Sequence, residues 1–254
     1  MIQISYEHLD TIDSTNNELK RRLIGDKSGD LDYHVLYSDE QTAGRGRSGH
    51  GWVSKKGAGI ATSMMVYLPK SDIDISQVTL LCAHAFADAL EVCGIEGIQI
   101  KWPNDLLLFE KKFGGILVER LILDDIKGGG ALIIGVGINL LRQSVPKGLK
   151  DRAISLEDVC SQKTIYADTI IHKMWESFAD CYGVFLSEGS LSFIRDGYNK
   201  RLININRTVE VDGTGERGTA IGIDERGRLL IDMGGQIMKA SSKEVHIRGI
   251  YGYV

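Results

Sequence analysis

Between Ala131 and Ile138 the chain reads Ala-Leu-Ile-Ile-Gly-Val-Gly-Ile, without one polar side chain. A strand that is apolar on both alternating faces must be buried on both, so this segment demands a sheet covered on each side. Further strand candidates surround it. His34–Ser38 alternates, Ile60–Leu68 stops at Pro69, and Ile98–Trp102 stops at Pro103. Asp105–Phe109 and Gly114–Leu121 flank Glu110-Lys-Lys112, which reads as a hairpin turn. Helical periodicity supplies the cover. Thr15-Asn-Asn-Glu18 fits a capping box, with Leu19 and Leu23 one turn apart, and predicts a helix from about Asn16 to Ile24. Ser76–Cys93 is predicted as a helix capped by Ser76 and stopped by Gly94. Ser155–Cys160 starts a short helix, and Thr164–Ser187 is long and amphipathic, carrying Ile171, Met174, Trp175, Phe178 and Phe185.

The texture changes near Asn204. Val209–Val211, Gly218–Ile223, Arg228–Ile231 and Ile237–Ala240 are short strands broken by glycine-rich turns, the pattern of a small β-barrel. Two domains are therefore expected, 1–203 and 204–254.

The net charge of −4 argues against a dedicated nucleic-acid surface. No stretch reaches the roughly 20 apolar residues that span a bilayer, and Met1–Glu7 has no signal-peptide pattern. The four cysteines, Cys82, Cys93, Cys160 and Cys181, lack Cys-x-x-Cys spacing and read as reduced thiols of a cytoplasmic protein.

Five segments carry candidate chemistry. Gly44-Arg-Gly-Arg-Ser-Gly-His-Gly-Trp52 mixes glycines, which bring backbone N–H groups near an anion, with Arg45 and Arg47, which suit carboxylate or phosphate. Its Gly44-x-Gly46-x-x-Gly49 spacing formally matches a dinucleotide fingerprint, but Gly51, Gly57 and Gly59 forbid the helix that should follow. A mobile surface hairpin would carry the same residues. Lys101-Trp-Pro-Asn-Asp105 delivers polar side chains at a strand end, and is equally a plain turn sequence. Lys112-Phe-Gly-Gly115 sets a lysine before a strand, where it could meet a carboxylate and a phosphate together or be a solvated turn lysine. Gly135-Val-Gly-Ile-Asn139 permits close approach to the backbone, with Asn139 able to hydrogen-bond a purine edge or merely to end a buried strand. Asp13-Ser-Thr-Asn16 offers hydroxyl and amide groups to a neutral polar ligand while also capping a helix. No P-loop, Gly-x-Ser-x-Gly elbow or His/Cys metal cluster occurs.

In their order, Asp13-Ser-Thr-Asn16, Gln41-Thr-Ala-Gly-Arg-Gly-Arg47, Trp52, Lys101–Asp105, Lys112-x-Gly-Gly-Ile-Leu-Val-Glu119 and Gly135–Asn139 resemble the biotin–protein ligase family. His50 stands where the family usually carries a second arginine before the tryptophan. The chain begins directly in the ligase core, so it resembles the monofunctional kind without a DNA-binding domain.

The resemblance implies an α+β fold like the class II aminoacyl-tRNA synthetases: a central mixed sheet with flanking helices, then an SH3-like β-barrel. It implies ATP and biotin as substrates with Mg²⁺, and biotinyl-5′-AMP as intermediate. The acceptor would be a lysine of the biotin carboxyl carrier protein of acetyl-CoA carboxylase. A homodimer through sheet edges is typical of the family. Ser14, Thr15, Asn16 and Gln41 would bind the biotin head, with Gly44, Gly46, Gly114 and Gly115 shaping its site. Arg45, Arg47 and Lys112 would supply catalytic charge, Lys112 bridging carboxylate and phosphate. Trp52, Lys101, Asn104 and Asn139 would contact the nucleotide, Asn104 through the metal, and Asp105 would receive the acceptor amine's proton or orient the turn. A lipoate–protein ligase and a non-catalytic biotin sensor are the rival readings.

Overall fold

A computed structural model of the chain describes residues 2–25, 31–53, 55–69, 72–123, 129–160, 166–211, 215–242 and 247–249. Seven strands form one mixed sheet: β1 (Ser5–Ile12), β2 (His34–Gln41), β3 (Gly59–Tyr67), β4 (Gln99–Lys101), β5 (Asp105–Leu108), β6 (Lys111–Ile122) and β7 (Gly130–Asn139). Their order is β1-β2-β3-β7-β6-β5-β4, with β1 and β2 parallel and the other neighbours antiparallel.

The apolar strand β7 lies at the centre, covered on both faces as its sequence requires. Leu132, Ile134, Val136 and Ile138 enter the main core, which also holds Phe86 from α2 (Ile75–Val92) and Trp175 and Phe178 from α4 (Ala167–Glu188). Ala131 and Ile133 point the other way, into a second core with Leu36, Met65, and Leu19 and Leu23 of α1 (Thr15–Gly25). Helix α2 is long and apolar enough by composition to cross a membrane, but its buried face makes it a core helix. Trp175 meets Phe86 edge-on at 5.1 Å, and its buried indole N–H donates to Thr62 Oγ1 at 3.0 Å.

Several local expectations shift. Asp74, not Ser76, caps α2: its carboxylate accepts from Ser76 N at 2.8 Å, leaving Ser76 inside the first turn. Lys111 and Lys112 belong to β6, and the turn falls on Phe109 and Glu110, both left-handed at φ 50° and 61°. The amphipathic helix starts at Ala167, and residues 164–165 of its expected range lie outside the described residues. The sequence reading missed β1, an edge strand with little apolar alternation. It also missed α5 (Ser192–Arg201), whose buried pair is only Ile194 and Tyr198 and whose Gly197 weakens a helical pattern. Gly197 is needed there, since a Cβ would stand 2.7 Å from the His84 ring.

After α3 (Leu156–Val159), α4 and α5 comes a five-stranded antiparallel sheet: β8 (Thr208–Val211), β9 (Arg217–Ile223), β10 (Leu229–Asp232), β11 (Ile237–Ala240) and β12 (Ile247–Gly249). Its order is β11-β10-β9-β8-β12, and no pairing closes it into a barrel among the described residues. Trp102 anchors this sheet to the larger one, donating from its indole to Gly227 O at 3.0 Å and from its backbone to Asn204 Oδ1 at 3.1 Å.

Between α2 and α5, Arg201 pairs with Asp88 at 2.7 Å, and His84 lies 3.3 Å from the same carboxylate. Burial holds the His84 imidazole below its ordinary value, with Arg201 adding to the effect and Asp88 and Glu91 opposing it. Burial also lowers His34. A folded-state value below the unfolded one, about 6.5 for histidine, means that the unfolded chain takes up protons first. This stability is complete above the unfolded value and is lost as pH falls. The melting temperature should therefore fall between pH 7.5 and 5.5, and His84→Gln should flatten the slope; parallel slopes for both proteins would contradict this origin.

Candidate active site

The antiparallel strands bring the five sequence segments to one end of the sheet. Ser63, Gly135 and Leu117 stand in one row across β3, β7 and β6; Ala61, Gly137 and Gly115 stand in the next. On the α1 face of β7 the apolar side chains end at Ile133, and Gly135 and Gly137 follow. A Cβ on Gly135 would lie 2.2 Å from Asn16 Oδ1, and one on Gly137 2.3 Å from the Trp52 ring. The two glycines thus admit a polar side chain from α1 and an indole from the loop after β2.

Around Gly135 lies a tight pocket of about 50 Å³, reached by Ser14, Thr15, Asn16 and Gln41. Gln41 Oε1 accepts from Thr15 N at 2.9 Å and from its hydroxyl at 3.1 Å, which fixes the orientation of the Gln41 amide. The buried Ser63 Oγ is 2.6 Å from both Thr15 Oγ1 and Asn16 Oδ1. These contacts preorganise neutral donors and acceptors.

The loop 44–52 folds over this pocket as a hairpin. Trp52 N donates to Gly44 O at 2.9 Å and Gly46 N to His50 O at 2.7 Å. A side chain on Gly44 would strike Trp52 O at 2.4 Å. Arg45, also in the wall of the tight pocket, reaches Asn17 Oδ1 at 3.0 Å and Glu119 at 3.1 Å. Arg47 turns inward, donating to Asn104 Oδ1 at 2.9 Å and Ser242 O at 3.3 Å. Burial lowers its guanidinium pKa from the ordinary value, opposed by Asp105.

A second cavity of about 630 Å³ opens beyond Trp52, a size suited to a small-molecule ligand. Arg47, Lys101 and Lys112 gather around the Asp105 carboxylate, with Lys112 Nζ 2.6 Å from Asp105 Oδ1. Burial pulls the Lys101 ammonium below its ordinary pKa, Asp105 opposing and Lys112 reinforcing the shift. Three cations against one carboxylate leave this wall with excess positive charge for a polyanion. Arg47, Trp52, Asn104 and Lys112 line both cavities, so they form the joint between them. Gly115 leaves room for Lys112, whose Cε and Nζ would lie 3.0 Å from a Cβ there.

Of the expected residues, Gly114 alone among the strand glycines packs away from the pocket, against Leu106. Asn139 lines the larger cavity, and its amide donates to Ile154 O at 3.3 Å. The sequence reading missed Thr62 and Ser63, although two hydroxyls inside an apolar strand were a usable signal. It also missed Pro146, Leu149, Arg152 and Ala153 in the cavity lining and Ser242 from the turn after β11, which only folding brings near.

Residues 9–139 match the Biotin/lipoate A/B protein ligase family. The chain belongs to that family. A Bifunctional ligase/repressor BirA of Bacillus spizizenii is 34% identical over 84% of the chain, which spans 66% of that relative's length. A Biotin–[acetyl-CoA-carboxylase] ligase of Mycobacterium tuberculosis is 27% identical over 92% of the chain and 86% of its own. Among solved structures, a biotin protein ligase from Aquifex aeolicus in complex with biotin and ATP superposes with a TM-score of 0.82 at 27% identity, covering 96% of this chain and 99% of that one. The family resemblance read from five short segments thus holds. Because the family includes both biotin and lipoate ligases, membership leaves the choice of acid to the chemistry of the pocket.

Proposed function

We propose that this chain is an ATP-dependent biotin–protein ligase, forming biotinyl-5′-AMP and then passing the biotinyl group to a lysine of a biotin carboxyl carrier protein. The observation that carries this reading is the pair of cavities sharing Arg47, Trp52, Asn104 and Lys112 as a common wall. Away from that shared wall, the first is lined by the neutral hydroxyls and amides of Ser14, Thr15, Asn16, Gln41 and Thr62, with Arg45 beside them, and suits a ureido head; the other is cationic and suits a nucleotide. Their joint is where a carboxylate and an α-phosphate must meet, and fixed positive charge lowers the repulsion between them.

Lys112 bridges the two anions, Arg47 adds charge from above, and Arg45 holds the loop down. Lys101 and Asn139 contact the nucleotide. Trp52 shields the mixed anhydride from water until the acceptor arrives. Asp105 lies beside Lys112 and takes the proton of the attacking amine. Mg²⁺ would supply charge neutralisation at the phosphates. Protein oxygen suits that ion, and Asn104 Oδ1 would hold it once Arg47, its present partner, turns to the ligand.

The finer points belong to the same proposal. The carrier is that of acetyl-CoA carboxylase, the boundary falls at 203/204, and the second sheet is the SH3-like barrel. The enzyme works in the cytoplasm as a dimer through sheet edges. The decisive test incubates the protein with ATP, Mg²⁺, biotin and a carrier domain, with lipoate as competitor, and reads the products by mass spectrometry. AMP, pyrophosphate and a biotinylated carrier are expected. Transfer of lipoate instead would replace this reading with a lipoate ligase, and absence of any transfer would favour a biotin sensor.

A further inference from the structure

Glu119 closes the segment that begins at Lys112, and the chemistry above leaves it without a task. Its side chain is only 18% exposed on β6, beside the loop 44–52. Three donors from two elements converge on it. Asn16 Nδ2, in the first turn of α1 and in the wall of the tight pocket, reaches Oε2 at 2.9 Å. Lys20 Nζ, one turn further along α1, reaches Oε1 at 2.6 Å. Arg45 Nη1, from the loop, lies 3.1 Å from the same oxygen.

This carboxylate also fixes the direction of an amide. Asn16 gives its Nδ2 to Glu119, so its Oδ1 faces Ser63 at 2.6 Å and the bare backbone of Gly135. Burial alone would raise the Glu119 carboxyl; hydrogen bonds from Asn16 and Lys20 and the charges of Lys20 and Arg45 outweigh it and keep the group ionised.

We propose that Glu119 is a positioning residue that couples the head-group pocket to the loop above it, holding Asn16 on one side and Arg45 on the other. A head group hydrogen-bonded to Asn16 restrains the amide, and through it the carboxylate on which Arg45 docks. A docked Arg45 in turn keeps the glycine-rich loop, costly to order, closed over the same head group. Each event lowers the entropy cost of the other. The negative charge is essential: glutamine could still accept from Asn16, but it would lose the ionic hold on Arg45.

The proposal rests on the biotin-ligase reading for the identity of the head group. The test follows amide hydrogen exchange of residues 44–52 with and without biotin, in wild type, Glu119→Gln, Arg45→Ala and the double variant. Biotin should slow exchange in the wild type, and each single substitution should reduce that slowing about tenfold, with the double variant no worse than the weaker single. In Glu119→Gln the KM for biotin in pyrophosphate exchange should rise about tenfold while kcat changes by less than about threefold. A purely structural role would instead lower the melting temperature and affect both cavities alike. Should Glu119→Gln not fold, the partly exposed Arg45 carries the test: Arg45→Ala must lose the biotin-induced slowing and Arg45→Lys regain part of it. Additive effects, or full slowing in either single variant, overturn the coupling. If biotin fails to slow exchange even in the wild type, both the coupling and the ligase reading fall.

Discussion

Lys112→Ala should slow adenylate formation by about 10²–10³-fold, the usual cost of removing one preorganised group from a developing charge. Lys112 lines both cavities, and its ammonium is held 2.6 Å from Asp105 beside the space left by Gly115. Among the described residues no other side chain is placed to touch a carboxylate in the tight pocket and a phosphate in the larger one from beneath, because Arg47 approaches from the loop and Lys101 reaches only the larger cavity. The fold should survive, since Lys112 is partly exposed and its backbone pairing with Arg152 and Ile154 does not depend on its side chain. Biotin-dependent pyrophosphate exchange and a melting curve measure the two halves of this expectation. A normal exchange rate would remove Lys112 from the reaction.

Gly135→Ala should weaken biotin binding by roughly 30–100-fold, although it adds a single methyl group outside the larger cavity. The added Cβ would stand 2.2 Å from Asn16 Oδ1, so Asn16 must leave its place. Its departure breaks the contact with Ser63 and the bond to Glu119, and two or three hydrogen bonds of about 1 kcal/mol each account for the loss. Calorimetric titration with biotin and, separately, with ATP separates the effects. ATP affinity should change by less than about threefold, since the larger cavity does not include Gly135. An equal loss for both ligands would show that the strand, and not the head-group pocket, had been disturbed.

The legible parts of the fold were those governed by local periodicity. The Ala131–Ile138 run announced a strand buried on both faces because alternation and polarity are properties of neighbouring residues. Helices α2 and α4 showed their apolar stripes in the same way. The edge strand β1 was hidden because half-exposed positions on both faces give no alternation. Helix α5 was hidden because it buries only two large side chains and carries Gly197, whose purpose is to clear the His84 ring on another helix. Asp74 displaced Ser76 as the cap of α2, a choice between two acceptors two residues apart that pattern alone does not make.

At the site, sequence by itself determined the chemical inventory: the glycines and arginines of 44–52, the lysines at 101 and 112, the amides at 16, 41, 104 and 139, and through their order the family. Short motifs specify chemistry because side-chain functional groups are local. Tertiary structure decided which of these groups face one another. It sent Arg45 to Glu119 and Arg47 to Asn104 although residues two apart in extended backbone share a side, because the extended backbone ends at Gly46 and a 3-10 turn, Arg47–Gly49, begins there. It brought Ser242, just after β11, to Arg47 and Glu119 of β6 to Asn16 of α1, across separations no local pattern encodes. The pairing of β6 with β7 sets Glu119 beside Ile133 on the face that α1 covers, and the docking of the second sheet through Trp102 carries Ser242 to the loop; both are contacts between segments far apart in the chain, which is the physical reason that sequence alone does not encode them.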